Sequence, residues 1–317
     1  MHAIKASCDR HNFVVGRDRH SVARPVSELK SLSRMPYVVI DCLTSASGRV
    51  NEDRAGAAND LAWVIDGATD VVEDPLTGAA TDADWIAGRL DAVFAELSGT
   101  PPANLSLLPD LAAARLASEF DCEAKRAPIG KTEHPSASAI VVRACDTGLD
   151  YVCVGDCTLL VEGLSGFVRV GVDESAAGDP QLAKALAALH ANHGGLRAEA
   201  ARARIWPWIK AGRAAMNEPD GYGVFSITPT PRHFVRTGQI AMPADGHLLL
   251  ASDGLMRLVD VFRLYSAPSL FAVARIEGLT PLMRLLRTVE REDVHGHQYP
   301  RAKSSDDATG LLLRWSP

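Results

Sequence analysis

Leu61-Ala62-Trp63-Val64-Ile65-Asp66-Gly67 runs five apolar residues straight into an aspartate and a glycine. The run reads as a buried strand with a carboxylate at its end, which is costly unless something cationic meets it. The pattern returns at Leu248-Leu249-Leu250-Ala251-Ser252-Asp253-Gly254. Acidic pairs flank further strand-like runs at Asn51-Glu52-Asp53 and at Ser304-Ser305-Asp306-Asp307-Ala308-Thr309. Brought together, these groups repel by about 4 kcal/mol per close pair at an effective dielectric of roughly 20. Convergence on divalent metal removes the conflict, and an oxygen-only donor set favours Mg²⁺ or Mn²⁺ over zinc.

Taken singly, each segment has a plainer reading. Asp66-Gly67 suits a type I turn after a strand. Ser252 or Asp253 suits the N-cap of a following helix, and Asp306-Asp307 suits a solvated turn. The metal reading rests on their joint occurrence. In it a carboxylate bridges metal ions, and glycine lets its own carbonyl approach with no side chain in the way.

Outward from these segments, strand signals come in pairs. Tyr37–Leu43 and Leu61–Ile65 flank the first acidic motif. Ala139–Arg143, Tyr151–Val154, Thr158–Glu162 and Phe167–Val170 read as a meander, with turns at Asp146-Thr147-Gly148, Gly155-Asp156 and Leu164-Ser165-Gly166. Helical periodicity covers Ala83–Leu97 and Leu107–Ala124. Asp179–Arg213 is alanine-rich and helical in period, with Leu182, Leu186 and Leu189, and Pro207 is expected to end or kink it. Extended segments at Gly223–Thr228, His233–Thr237 and His247–Ala251 precede helices at Leu255–Tyr265, Pro268–Ile276 and Leu279–Glu292. Thr309–Trp315 is the closing strand. Short-loop meanders predict antiparallel sheets with helices in pairs between them. One α+β domain is expected over residues 37–317, after an extension over 1–36 and with a helical insert over 173–222.

The 317 residues are 47% hydrophobic and 23% charged, enough for a substantial core without staples. Net charge is −6, with no basic run interleaved with aromatics, which argues against nucleic acid or anionic membrane as partner. The six cysteines form no Cys-x-x-Cys pair and no zinc-finger spacing. Cys42, Cys145, Cys153 and Cys157 lie in apolar runs, where a thiol acts as a small hydrophobe. The start lacks a signal-peptide apolar region, and no uncharged apolar stretch nears the roughly 20 residues that span a bilayer. A soluble, cytoplasmic monomer is expected.

The ordered series Asn51-Glu52-Asp53, Asp66-Gly67, Gly155-Asp156, Ser252-Asp253-Gly254 and Asp306-Asp307-Ala308-Thr309 resembles the metal-dependent Ser/Thr protein phosphatases of type 2C. The likeness spans about residues 37–316 and is to a divergent bacterial-type member. It implies a four-layer α/β/β/α sandwich, two central antiparallel sheets flanked by helix pairs. It implies Asp66 as the bridging ligand with the Gly67 carbonyl beside it, and Asp253 and Asp306 completing the first metal site. Glu52 and Asp53 then reach the second metal directly or through water. Asp156 matches an aspartate behind the ligands or at a third metal. Arg49 stands where the family binds phosphate, one residue short of the usual spacing to the acidic pair, with Arg54 the alternative. A bidentate guanidinium suits a phosphate dianion. The implied cofactors are two Mg²⁺ or Mn²⁺ ions per active site.

Some positions depart from the family. Asp66-Gly67-Ala68-Thr69-Asp70 replaces Asp-Gly-His or Asp-Gly-Met-Gly-Gly, so the histidine proposed as general acid in animal members is absent. Cys157 replaces the serine of Gly-Asp-Ser. Arg257 stands where animal members carry an acid, which counts against a third metal. The insert over 173–222 occupies the place of the family's variable flap.

The implied reaction is hydrolysis of phosphoserine or phosphothreonine in a phosphoprotein by metal-activated water, without a phosphoenzyme. A metal-bound water or His297, then His295 or His134, are candidates to protonate the leaving alkoxide. Two rival readings share the fold: a pseudophosphatase with a binding role, and a phosphatase acting on small metabolites. A calcium-binding module needs closely spaced acids of the Asp-x-Asp-x-Asp-Gly kind, and here they are dispersed.

Overall fold

Leu248, Leu249, Leu250 and Ala251 are all buried, because their strand is covered on both faces. The computed structural model describes residues 36–72, 74–102, 104–171, 198–299, 301 and 303–316. One sheet runs in the order β1 (Tyr37–Ser45), β11 (Ala308–Trp315), β10 (His247–Ala251), β6 (Thr158–Gly163), β7 (Gly166–Val170). The other runs β2 (Asp53–Ala58), β3 (Leu61–Gly67), β4 (Ser136–Cys145), β5 (Gly148–Val154), β9 (Arg236–Ala241), with the short β8 (Phe225–Ser226) on β4. Every strand pairing in both sheets is antiparallel.

Three apolar layers hold the sheets and helices together. Between the sheets, Val64, Ile140 and Val142 cluster with Leu159, Leu248, Leu250, Leu311 and Leu313. Alternate residues of the same strands face outward. Trp63, Ile65 and Val141 pack with Ile86, Leu90 and Phe94 of α1 (Asp82–Leu97) and Leu116 and Phe120 of α2 (Leu108–Glu123). On the opposite outer face, Leu249, Ala251 and Leu312 pack with residues of α4 (Asp253–Asp260), α5 (Ala267–Glu277) and α6 (Leu279–Glu292). This is the expected α/β/β/α sandwich, α5 and α6 forming the long pair on that side and the short α4 leading into them. Local signals agree with the packing. Thr81 caps α1, its side chain accepting from the Asp84 N–H, and Ser266 and Ser269 form a capping box on α5.

The structure departs from the sequence reading in several places. Strand β2, Asp-Arg-Ala-Gly-Ala-Ala, carries almost no β-forming residues and is not foreseen. Its place is set by packing: a Cβ on Gly56 would lie 2.5 Å from the Trp63 ring, so only glycine lets the indole lie across the strand. The extended segment expected over Gly223–Thr228 shrinks to β8. The segment expected over His233–Thr237 begins as a tight turn, Arg232–Phe234, before β9. Helix α3 (Ala198–Ala214) runs through Pro207 instead of ending there. The carbonyl that Pro207 leaves without its usual donor belongs to Ala203, which is exposed and open to water. Residues 1–35 of the expected extension, and residues 173–197 of the expected insert with Leu182, Leu186 and Leu189, lie outside the described residues.

If both outer and inner faces of β10 are core, Leu249→Ala and Leu250→Ala should each cost about 2–5 kcal/mol in urea unfolding. Leu264→Ala, on the surface, should stay within about 0.5 kcal/mol.

Candidate active site

The acidic segments meet at one end of the sandwich because β2 begins there and β3, β5 and β10 end there. Asp53 and Asp66 are direct partners across the β2–β3 pair. The Gly67 N–H donates to the Glu52 carbonyl at 3.1 Å. A Cβ on Gly67 would come within 2.7 Å of the Ala83 carbonyl oxygen and 2.8 Å of that of Glu52, so this junction accepts only glycine. From the other sheet, Ser252 accepts the Thr309 N–H on its hydroxyl at 2.9 Å and donates that hydroxyl to Asp53 Oδ2 at 2.8 Å. Ser252 thus sits at the N-cap position of α4 but makes no side-chain cap; its hydroxyl joins the two sheets instead. The first turn of α4 lies directly on the Asp307 backbone, a closeness that Gly254 permits. Asp66 lies close enough to Asp53 and Asp253 for their charges to act on it. Asp156, in the turn between β5 and β6, is exposed and accepts the Ser138 hydroxyl at 2.6 Å.

These carboxyls are crowded enough to hold protons. Burial pushes Asp53 up to about 8, the Ser252 hydroxyl working against it and the charges of Asp307 and Asp253 adding to it. Asp66 is driven well above the usual carboxylate range by burial, then by Asp53, Asp253, Asp156 and Asp306. Asp253 is raised to about 7 by burial and by Asp156 and Asp306. Glu52 is raised by burial. The Thr309 hydroxyl donates to Thr44 at 2.7 Å, and Asp53 Oδ1, on a residue only 2% exposed, has no hydrogen-bond partner.

Asp306 stands differently. Its Oδ2 accepts from Arg257 at 3.0 Å and its Oδ1 from Lys303 at 2.8 Å. Arg257 also donates to Glu290 at 3.0 Å, and Glu290 in turn accepts from Arg287 at 2.6 Å. Lys303 donates to the Thr69 hydroxyl at 3.1 Å, and Thr69 donates to Glu52 Oε2 at 3.0 Å. Asp307 is occupied as well, its two oxygens accepting the Ser47 N–H at 2.7 Å and the Glu52 N–H at 2.6 Å.

Of the two arginines singled out in the sequence, Arg54 donates to the Asn51 and Asp53 carbonyls and pairs with Asp84, so it braces the turn. Arg49 is exposed, with no hydrogen bond or ion pair to a described residue. His297 is exposed on a loop gathered around Asp293, which accepts its backbone N–H at 2.7 Å. His295 lies 5.8 Å from it, ring to ring, and His134 neighbours Lys131 and Glu133. Sequence reasoning did not single out Thr69 or Lys303. Lys303 is three residues from Asp306, but its bond to Thr69 spans 234 residues and leaves no local pattern.

Among the described residues, no three Asp, Glu, His or Cys side chains stand ready as a metal-binding group. The donor chemistry of Asp53, Asp66, Asp253 and the Gly67 carbonyl nonetheless fits a hard divalent cation. The donors are all oxygen, the charges of Asp53 and Asp253 act on Asp66, and Asp53 Oδ1 is buried and unpartnered.

The fold is shared with solved phosphatases at low sequence identity. The serine/threonine phosphatase PstP/Ppp of Mycobacterium tuberculosis aligns with 89% of this chain and 98% of its own at 12% identity and a TM-score of 0.51. The PstP catalytic domain in complex with two manganese ions aligns over 89% and 98% at 14% identity and a TM-score of 0.49. The Ser-Thr phosphatase MsPP of Mycobacterium smegmatis, in complex with cacodylate, aligns over 87% and 98% at 17% identity and a TM-score of 0.47. No family model and no curated protein matches the sequence. No helix of the described residues is long and apolar enough to cross a membrane.

The raised carboxyls set a pH dependence for metal-free protein. With Asp53 at about 8 and Asp253 at about 7 against an ordinary 3.8, the folded chain holds protons that the unfolded chain releases. Their stabilising contribution is full below about pH 4 and is lost as pH rises through about 8. In chelator, Asp53→Asn should flatten the fall of Tm between about pH 5 and pH 8. An unchanged slope would count against the assignment.

Proposed function

We propose that this chain is a divalent-metal-dependent phosphatase that hydrolyses phosphoserine and phosphothreonine in proteins, a divergent relative of the type 2C enzymes. The observation that carries the reading is the meeting of Asp53 and Asp66 from one sheet with Asp253 from the other, at one end of a sandwich shared with a bacterial Ser/Thr phosphatase. Asp53, Asp66, Asp253 and the Gly67 carbonyl would hold Mg²⁺ or Mn²⁺. Such an ion supplies Lewis acidity, an acidified water and neutralisation of charge on the transferred phosphoryl group.

The chain's own groups supply the rest. Ser252 orients Asp53 through its hydroxyl, leaving the other carboxylate oxygen for a ligand. Arg49, exposed, two residues before Asn51 and with no described partner, would clamp two non-bridging phosphate oxygens. Arg54 is less available for that task, three of its five N–H donors being engaged by Asn51, Asp53 and Asp84. Asp156, in the β5–β6 turn, adds negative charge beside Asp66 and Asp253.

A second reading, a binding module without turnover, draws on the ion pairs that Arg257 and Lys303 make with Asp306. Phosphopeptides, an aryl phosphate and a panel of phosphorylated metabolites separate the readings. The proposed enzyme turns over phosphopeptides best, a metabolite phosphatase favours small esters, and a binding module turns over none.

EDTA should abolish turnover and Mn²⁺ restore it. Asp66→Asn and Asp253→Asn should each lower kcat/KM by more than about 100-fold, beyond the usual loss for groups that only support a ligand. Full activity of both variants at micromolar Mn²⁺ would refute the assignment. Arg49→Ala should lower kcat/KM by about 10- to 100-fold, the worth of a charge-assisted hydrogen bond or two, whereas Arg54→Ala should act chiefly on stability.

A further inference from the structure

Lys303, a half-buried lysine, has its ammonium bridging two loops, donating to Asp306 Oδ1 (2.8 Å) on the loop before β11 and to Thr69 Oγ1 (3.1 Å) on the segment after β3. Through Thr69 it reaches Glu52, whose Oε2 accepts the threonine hydroxyl at 3.0 Å. Asp253 and Asp66 are close enough for their charges to act on it as well. With Arg257 on Asp306 Oδ2 (3.0 Å), both oxygens of that carboxylate are held by cations of the chain itself.

The acidic end of the fold is thus divided in two. On one side Asp306 has Lys303 and Arg257, Asp307 has two backbone N–H groups, and Glu52 has Thr69. On the other side Asp66 stands under the charge of Asp253, neither makes an ion pair with a described residue, and Asp53 has one oxygen bonded to Ser252 and one unpartnered. A divalent ion on the first side would have to displace a tethered ammonium and sit against a guanidinium. On the second side it meets only carboxylates, whose mutual repulsion it relieves.

We propose that Lys303 is a built-in cation that takes the place of one divalent ion, so that the centre binds a single Mg²⁺ or Mn²⁺ on the Asp53–Asp66–Asp253 side. This rests on the metal-centre reading above and narrows it. The lysine supplies a permanent positive charge to the Asp306–Glu52 side, which no chelator removes.

The test is metal stoichiometry on the full-length chain, titrated with Mn²⁺ and read by native mass spectrometry and by the EPR spectrum. Wild type is expected to take up one Mn²⁺ with the hyperfine pattern of an isolated ion. Lys303→Gln, which removes the charge and keeps much of the side chain, should take up two and show exchange coupling between them. Lys303→Arg should retain one. Two ions in wild type would overturn the role of Lys303 and leave the metal-dependent reading intact. A single ion in both wild type and a folded Lys303→Gln, checked by circular dichroism, would also overturn it. No ion in wild type would remove the metal centre and this inference together. Should Lys303→Gln not fold, Lys303→Met, equally uncharged, takes its place in the same count.

Discussion

Carboxyl groups crowded at one end of two packed sheets set the terms for everything else in this protein. Asp53, Asp66, Asp253, Asp306 and Asp307 come from strand ends that the sandwich forces together, and each must find a cation, a donor or a proton. The fold uses all three. Backbone N–H groups serve Asp307, tethered cations serve Asp306, and the raised carboxyls of Asp53, Asp66 and Asp253 mark the groups left with least compensation. A buried acid in that position favours its protonated form until a cation arrives.

The two sheets are registered to each other at this end by few polar bonds. Ser252 is the principal one, with its hydroxyl shared between the Thr309 backbone and Asp53. Asp307 makes the second link, from the start of β11 to the backbone ahead of β2. Apolar packing fixes the sheets face to face but is indifferent to small slides along the strands. These directional contacts set the register on which any shared ligand geometry depends. Glycines at 67 and 254 serve the same end, letting backbones approach where a Cβ would collide.

Much of this was legible in the sequence. β3 and β10 announce themselves as apolar runs ending in Asp-Gly, and strands buried on both faces need no alternation to be found. Helices α1 and α2 follow from apolar period, and α5 and α6 lie where the sequence reading put them. The unread parts have physical causes. β2 owes its strand to the Trp63 ring over Gly56, a contact between neighbours that propensity cannot express. Pro207 is carried inside α3 because the carbonyl it abandons is at the surface. At the site, the family resemblance put Arg49 first for phosphate and Arg54 second, an order that no local pattern could justify. Bonding separates them: Arg54 is consumed by its own turn, and Arg49 has no described partner. Lys303 was invisible as a site residue because its partner Thr69 lies in a distant part of the chain.

The division between tethered and missing compensation bears on how this end of the fold keeps its shape with no ion bound. Were every carboxylate here dependent on a dissociable ion, its removal would leave the loops before β2 and β11 without their links. Asp307 instead holds the Ser47 and Glu52 backbone directly, and the chain Arg287–Glu290–Arg257–Asp306 runs from α6 to the loop before β11. Arg287 also donates to the Ser45 carbonyl at the end of β1, so the same network fixes the far edge of that sheet. A partly buried pair is costly to break because it leaves an uncompensated charge behind, which makes this network a scaffold and not a reservoir of exchangeable charge. The groups left with least compensation are then Asp53, Asp66 and Asp253, where the two sheets meet.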